Sequence, residues 1–224
     1  MRRTKQEADK TRSDLLTAAE ILFLKKGVAH TSLEQIAKYA GVTRGAIYWH
    51  FKNKADLFHA MLNQVRLPTE IIAQRIKQCD PEDPVAGLRN LCVDALASLL
   101  VDERKKRIFT ILMRRCEFTD ELKEAEQQHE AFIKAFIKAF IQLCTELFSE
   151  QKTAQRLRPG FTPHMAAVAI HVLFIGILSD WLRDSEIIDI QHCQPYFDAL
   201  LHGIFNDWSA PAIKPCTQSL SKSL

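Results

Sequence analysis

The chain has 224 residues, 47% of them hydrophobic and 25% charged, a balance that suits a packed globular protein and excludes disordered and collagen-like classes. Residues 1–54 hold eleven Lys/Arg against five Asp/Glu, a net of +6, whereas the remainder holds nineteen against twenty-two, a net of −3. A basic first quarter on a slightly acidic body points to a polyanion as partner of that quarter, nucleic acid ahead of a merely solvated basic face.

Only seven glycines and eight prolines punctuate long segments rich in Ala, Leu, Ile, Glu, Lys and Gln, so the expected class is all-α, with about nine helices. Thr4-Lys5-Gln6-Glu7 reads as a capping box opening a first helix. That helix buries Leu15, Leu16, Ala19, Leu22 and Phe23 and ends at Gly27, after Lys25 and Lys26. A second capping box, Thr31-Ser32-Leu33-Glu34, opens a short helix with Leu33, Ile36, Ala37 and Ala40 inward, broken by Gly41. Thr43 caps a third helix over 44–50, and Asn53 caps a fourth beginning at Lys54. Two short helices around a Gly-Val-Thr turn form a helix-turn-helix, whose second helix is free to lie in the DNA major groove.

The fourth helix is expected to continue through Leu57, Phe58, Met61, Leu62 and Val65 to about Lys77, bent or split by Pro68. Asp80-Pro81-Glu82-Asp83-Pro84 is a break, and helices follow at about 84–101, 104–115 and 119–150. Pro163 stands at N1 of a helix reaching about Asp184, and a last helix covers about 191–207. The apolar run MAAVAIHVLFIGIL at 165–178 is shorter than the ~20 residues of a membrane span and is interrupted by His171, so it reads as a buried helix. The tail from Ser209 has too little apolar surface to pack. The expected division is 1–53 for DNA binding, 54–208 for a helical second domain and 209–224 for a mobile tail. Six scattered cysteines (Cys79, Cys92, Cys116, Cys144, Cys193 and Cys216) form no CxxC pair. They argue against a zinc site or disulfide framework and, with no apparent secretory signal, fit a reducing cytoplasm.

The third helix, RGAIYWH, carries the chemistry. Arg44 is the candidate for reading a guanine, because a bidentate Arg on O6 and N7 is the commonest specific contact. Gly45 costs about 1 kcal/mol in a helix, and its missing side chain lets the backbone approach DNA closely. Tyr48 and His50 are positioned to contact phosphates, and Lys52 and Lys54 flank the next helix start. Thr31, Ser32 and Thr43 complete the expected DNA-contacting set. Trp49 and Phe51 are expected in the core, stapling the third helix to the first and fourth. No carboxylate or nucleophile stands at a partnering spacing with His50, so no catalytic, metal or cofactor site is expected. A helical enzyme retaining a vestigial DNA domain is disfavoured for that reason.

The stretch AAEILFLKKGVAHTSLEQIAKYAGVTRGAIYWHFKNKADLF resembles the DNA-binding signature of the TetR family nearly position by position. RRTKQEADKTR near the start and RRCEFTDEL at 114–122 resemble the AcrR/TtgR/MtrR group of multidrug efflux repressors. The resemblance implies a homodimeric, cytoplasmic repressor on a pseudo-palindromic operator, released by an apolar drug-like or bile-salt-like inducer. A regulator of lipid or secondary-metabolite genes answering to a fatty-acyl or other apolar metabolite is the alternative. It also implies a four-helix bundle across the dimer axis, for which Trp181, Tyr196, Phe197, Leu200, Leu201, Ile204 and Phe205 would supply apolar surface unless they form core. Finally, it implies a pocket lined by Val65, Leu91, Ala95, Phe109, Met113, Phe136, Phe140, His171, Phe174, Ile175 and Leu178. Phe132, Phe136 and Phe140 recur every four residues, a stripe whose default reading is core, and His171 is the main polar handle in that set.

Overall fold

The structure is a computed structural model, and it describes residues 5–65, 69–80, 82–115 and 123–209. Among these, every long element is helical: α1 (Lys5–Lys26), α2 (Leu33–Tyr39), α3 (Arg44–His50), α4 (Lys54–Leu62), α5 (Thr69–Cys79), α6 (Pro84–Val101), α7 (Glu103–Arg114), α8 (Lys123–Ser149), α9 (Gln151–Ala154), α10 (Pro163–Arg183) and α11 (Gln194–Ile204). A 3-10 turn at Ile190–His192 precedes α11, and a lone antiparallel bridge joins Leu157 to Phe205. The Thr4 cap, the Pro68 bend, residues 116–122 of the second motif and the tail from 210 onward lie outside the described residues.

The chain packs as two units. The first comprises Met1–Arg66 and Arg104–Ile133. Leu15, Leu16, Ala19 and Phe23 of α1 meet Ile36 and Ala37 of α2, Ile47 of α3 and Leu57, Phe58 and Met61 of α4, with Ile108 and Ile111 of α7 closing the same core. Phe23 and Phe58 meet edge to face, their ring centres 6.1 Å apart. Beneath α7 lies a buried charge. Glu20 of α1 is 0% exposed and pairs with Arg104 at 2.8 Å and Arg107 at 3.4 Å, while Arg104 also donates to Gln64 Oε1 at 2.5 Å.

The second unit comprises Leu67–Glu103 and Lys134–Leu224. Asp83 caps α6 by accepting from the amides of Val85 and Ala86, and it also receives two hydrogen bonds from Arg156. Burial pushes the Asp83 carboxyl up, but Arg156 and the cap amides outweigh it and hold the group below its usual range. The buried Arg89 of α6 grips Asp198 of α11 with both Nε and Nη2. Cys92, Cys144 and Cys193 are free, buried thiols. Burial raises all three, Cys144 to about 12, which makes them packing groups rather than nucleophiles.

The expected fourth helix is split, one of the two outcomes foreseen for it: α4 ends at Leu62 with turns through 65, and α5 begins anew at Thr69. The 165–178 run is buried on one side only. Ala166, Ala167, Ile170, Ile177 and Leu178 point inward while Met165, Val172 and Gly176 are exposed. Of the residues assigned to a dimer bundle, Trp181, Phe197, Leu201, Ile204 and Phe205 are buried within the chain, so the intramolecular reading holds for them, and Tyr196 remains exposed. Two helices, Pro84–Val101 and Pro163–Arg183, are long and apolar enough by composition to cross a membrane; α6 is a core helix with 61% of that window buried.

Candidate nucleic-acid interface

Local hydrogen bonds set α2 and α3 at the surface of the first unit. Ser32 is the N-cap of α2: its Oγ accepts from the Gln35 amide, and its own amide donates back to Gln35 Oε1. The capping box therefore sits one residue later than the sequence suggests, with Gln35 rather than Glu34 as its acceptor. Gly41 takes a left-handed φ of 70°, which turns the chain sharply out of α2 and favours glycine there. The Val42 amide donates to the Ala37 carbonyl, and Thr43 caps α3 by accepting from the Ala46 amide. Fully buried Ile47 anchors α3, and buried Phe51 follows it.

That anchoring leaves the other side of α3 open. Arg44 has 73% of its side chain exposed, Tyr48 is 43% exposed, and Trp49 is 74% exposed. The core assignment for Trp49 is thus overturned: in a seven-residue helix pinned by Ile47, the position two residues on projects away from the core. Its ring meets His50 edge-on at 4.6 Å. A side chain on Gly45 would meet nothing nearer than Thr43 Oγ1 at 4.0 Å, so no internal contact requires glycine at this point. Glu34 of α2 binds across to α3, its Oε1 lying 3.3 Å from Arg44 Nε and accepting from the Tyr48 hydroxyl at 3.0 Å. The Arg44 guanidinium also lies over the Tyr48 ring, 5.6 Å from its centre.

Two of the expected contact residues face inward. Thr31 is 1% exposed, and its hydroxyl donates to the Gly27 carbonyl at 2.8 Å. Lys54 reaches back to donate to the carbonyls of Val28 at 2.8 Å, Thr31 at 3.0 Å and Ala29 at 3.3 Å, which ties the α1–α2 connection to the start of α4. Ser32, Thr43 and Lys52 remain exposed, and His50 is half-buried. Trp49 and the acceptor role of Glu34 fall outside the sequence-based set. The spacing of two buried positions, Ile47 and Phe51, is the signal that places Trp49 outward.

Residues expected around a ligand are spread over both units. In the first, Val65, Phe109 and Met113 are half-buried. In the second, Leu91, Ala95, Phe136, Phe140, His171, Phe174 and Ile175 are half-buried and Leu178 is buried. Phe140 packs against His171 with ring centres 6.0 Å apart, and burial pushes the imidazole below its ordinary range, toward the neutral form. The Phe132 side chain lies outside the described set. An open groove of about 500 Å³ lies on the opposite face of α8, lined by Lys134, Ile137, Lys138, Ile141 and His164 among others and by none of these residues. Among the described residues, no group of three or more His, Cys, Asp or Glu is placed to hold a metal ion.

An exposed short helix bearing Arg, Tyr and Trp on a basic unit is the geometry of a major-groove reader, and the comparisons agree. Residues 15–61 match "Bacterial regulatory proteins, tetR family", and residues 83–206 match "MAATS-type transcriptional repressor, C-terminal region". The chain is 37% identical over 195 residues to the HTH-type transcriptional regulator TtgR of Pseudomonas putida, covering 85% of this chain and 89% of that one. It is 33% identical over 190 residues to the regulator AcrR of Shigella flexneri, covering 85% and 86%. Among solved structures, NalD, the secondary repressor of the MexAB-OprM multidrug efflux pump in Pseudomonas aeruginosa, superposes with a TM-score of 0.83 at 50% identity, over 91% of this chain and all of that one. The SmeT–triclosan complex superposes with a TM-score of 0.72 at 29% identity, over 92% and 99%. The chain belongs to the TetR family, as a DNA-binding transcriptional repressor and not an enzyme.

Proposed function

We propose that this repressor acts in the cytoplasm as a homodimer on a pseudo-palindromic operator, controls a multidrug efflux pump, and is released by an apolar drug-like or bile-salt-like ligand. The observation that carries the DNA half is the outward face of α3, where Arg44, Gly45, Tyr48 and Trp49 stand together. Arg44 reads a base edge. Tyr48, Trp49, Ser32, Thr43, His50 and Lys52 position the helix on the backbone. Thr31 and Lys54 serve the scaffold instead.

The dimer reading rests on α10 and α11. Only 33% of the most apolar window of α10 is buried within the chain. Met165, Val172 and Gly176 recur on one stripe of α10, and Tyr196, Ala199 and Gly203 are exposed on α11. Beyond the backbone of its own helix and its chain neighbours, no atom lies within 4 Å of a side chain built on Gly176 or Gly203, so a partner helix has room to approach closely. Support for the efflux and ligand assignments comes from the NalD and SmeT relatives. Within the second unit, Leu91, Ala95, Phe136, Phe140, His171, Phe174, Ile175 and Leu178 are the proposed lining. A ligand shifts the equilibrium only by binding the DNA-incompetent form better than the competent one, and a hundredfold population shift needs a matching affinity difference.

Arg44→Ala is the direct test. Against a duplex selected by the wild-type chain from a random pool, it should lose about 1–3 kcal/mol and relax preference at one base pair per half-site. Unchanged affinity and preference would remove Arg44 from the reading role. Calorimetry with triclosan, hydrophobic antibiotics and bile salts tests the ligand half. Silence across that panel, with DNA binding undisturbed, counts against an apolar inducer.

A further inference from the structure

Between Glu20 and Asp56 the sequence contains a single acidic residue, Glu34, among six Lys/Arg. It sits on the face assigned to DNA, where a carboxylate should repel phosphates. A bland role is available, since an acid in the first turn of α2 complements the helix dipole. That role does not require what the side chain does. One carboxylate oxygen, Oε1, lies 3.3 Å from Arg44 Nε and accepts from the Tyr48 hydroxyl at 3.0 Å. Both partners belong to the helix proposed to read DNA. Glu34 also has its carboxyl held below the ordinary range, first by its own backbone amide, then by Tyr48, with Arg44 adding to it.

Resting on the proposal that α3 reads DNA, the geometry points to Glu34 as a specificity-determining residue: an internal acceptor that holds Arg44 and Tyr48 until a matched base edge takes the guanidinium. An oxygen that pairs with the guanidinium and accepts from the phenol occupies both groups as an acceptor on DNA would. On mixed-sequence DNA no guanine is aligned, and a single phosphate is no better an acceptor than the carboxylate, so Arg44 stays on Glu34. At a matched site, O6 and N7 of guanine offer two acceptors in the plane of the guanidinium, and the exchange goes forward. Discrimination thus arises by weakening the wrong complex as well as by strengthening the right one.

The test is a double-mutant cycle of Glu34→Gln and Arg44→Ala on the full chain, read by fluorescence anisotropy against two duplexes of equal length, one selected from a random pool by the wild type and one of mixed sequence. Arg44→Ala should weaken binding to the selected duplex at least fivefold and change binding to the mixed duplex less than twofold. Glu34→Gln should tighten binding to the mixed duplex about threefold to tenfold, and most of that gain should vanish when Arg44 is absent. Glu34→Asp keeps the charge at the α2 start but shortens the reach, and it should tighten mixed-duplex binding as well. Thermal melts by circular dichroism verify that each variant is folded. Equal weakening on both duplexes by Arg44→Ala, or an equal Glu34→Gln gain with and without Arg44, overturns the masking role while leaving Arg44 as a DNA contact. No effect of Arg44→Ala on the selected duplex overturns the reading role itself.

Discussion

Gly87→Ala should destabilise the second unit by about 3 kcal/mol, at the upper end of ordinary overpacking. A methyl at this position would be driven into the backbone carbonyl of Ile76, with the Ile76 carbonyl carbon and Cγ2 each 3.2 Å away. The obstacle is backbone rather than the tip of a flexible side chain. Rotamer change therefore cannot relieve it, and α6 must shift off α5. Ile76 is fully buried, and Val85, Ala86 and Leu88 around Gly87 are buried too, so any shift opens contacts elsewhere. Urea denaturation followed by circular dichroism checks this; a loss under about 1 kcal/mol, the lower bound of that overpacking range, would mean that α5 and α6 are not packed as closely as described.

Stranding Glu20 should have an effect of similar or larger size in the first unit. The carboxylate is wholly buried, whereas Arg104 and Arg107 keep 39% and 32% of their side chains exposed. The two sides of the network are therefore unequal. Replacing both arginines with alanine leaves a buried charge without its cationic partners, which costs about 3–5 kcal/mol. Glu20→Met removes the charge, and the two guanidinium groups then turn to water, so it should cost less than half as much. Comparing the two variants in the same urea experiment is decisive. If Glu20→Met is the more damaging, the network contributes more through its charge than desolvation allows. The network joins α1 to α7 and, through Gln64, to the turn after α4, so the double variant should also loosen the platform that carries α2 and α3.

Much of this architecture is legible because helix ends are written in short local signals. Thr43, Asn53 and Pro163 each begin a helix where their side chains predict. The α2 cap slips by one residue because Thr31 and Ser32 are both good caps, and only the inward turn of Thr31 toward Gly27 decides between them. The aromatic character of Trp49 suggests core, against a helical spacing that points outward, and the spacing wins. Lys54 is not readable from local pattern, since its three carbonyl partners lie 23 to 26 residues away in sequence. The apolar residues of α11 are ambiguous for a different reason: a helix that is apolar on two sides does not tell which side meets the chain's own core. Phe197, Leu201 and Ile204 take the core, leaving Tyr196 and Gly203 outward. The packing of α7 with the N-terminal helices is likewise a tertiary fact that no local pattern encodes.

The central claim is sequence-specific DNA recognition by α3 of a dimer, and selection from a random duplex pool with the purified full chain tests it most directly. The account predicts enrichment of one pseudo-palindrome whose half-sites are centred about one helical turn, or a multiple of it, apart. The enriched duplex should sediment with two or a multiple of two chains, and selection with Arg44→Ala should lose the preference at one base pair of each half-site. Recovery of no preferred sequence, or a preference that Arg44→Ala retains in full, would contradict the account.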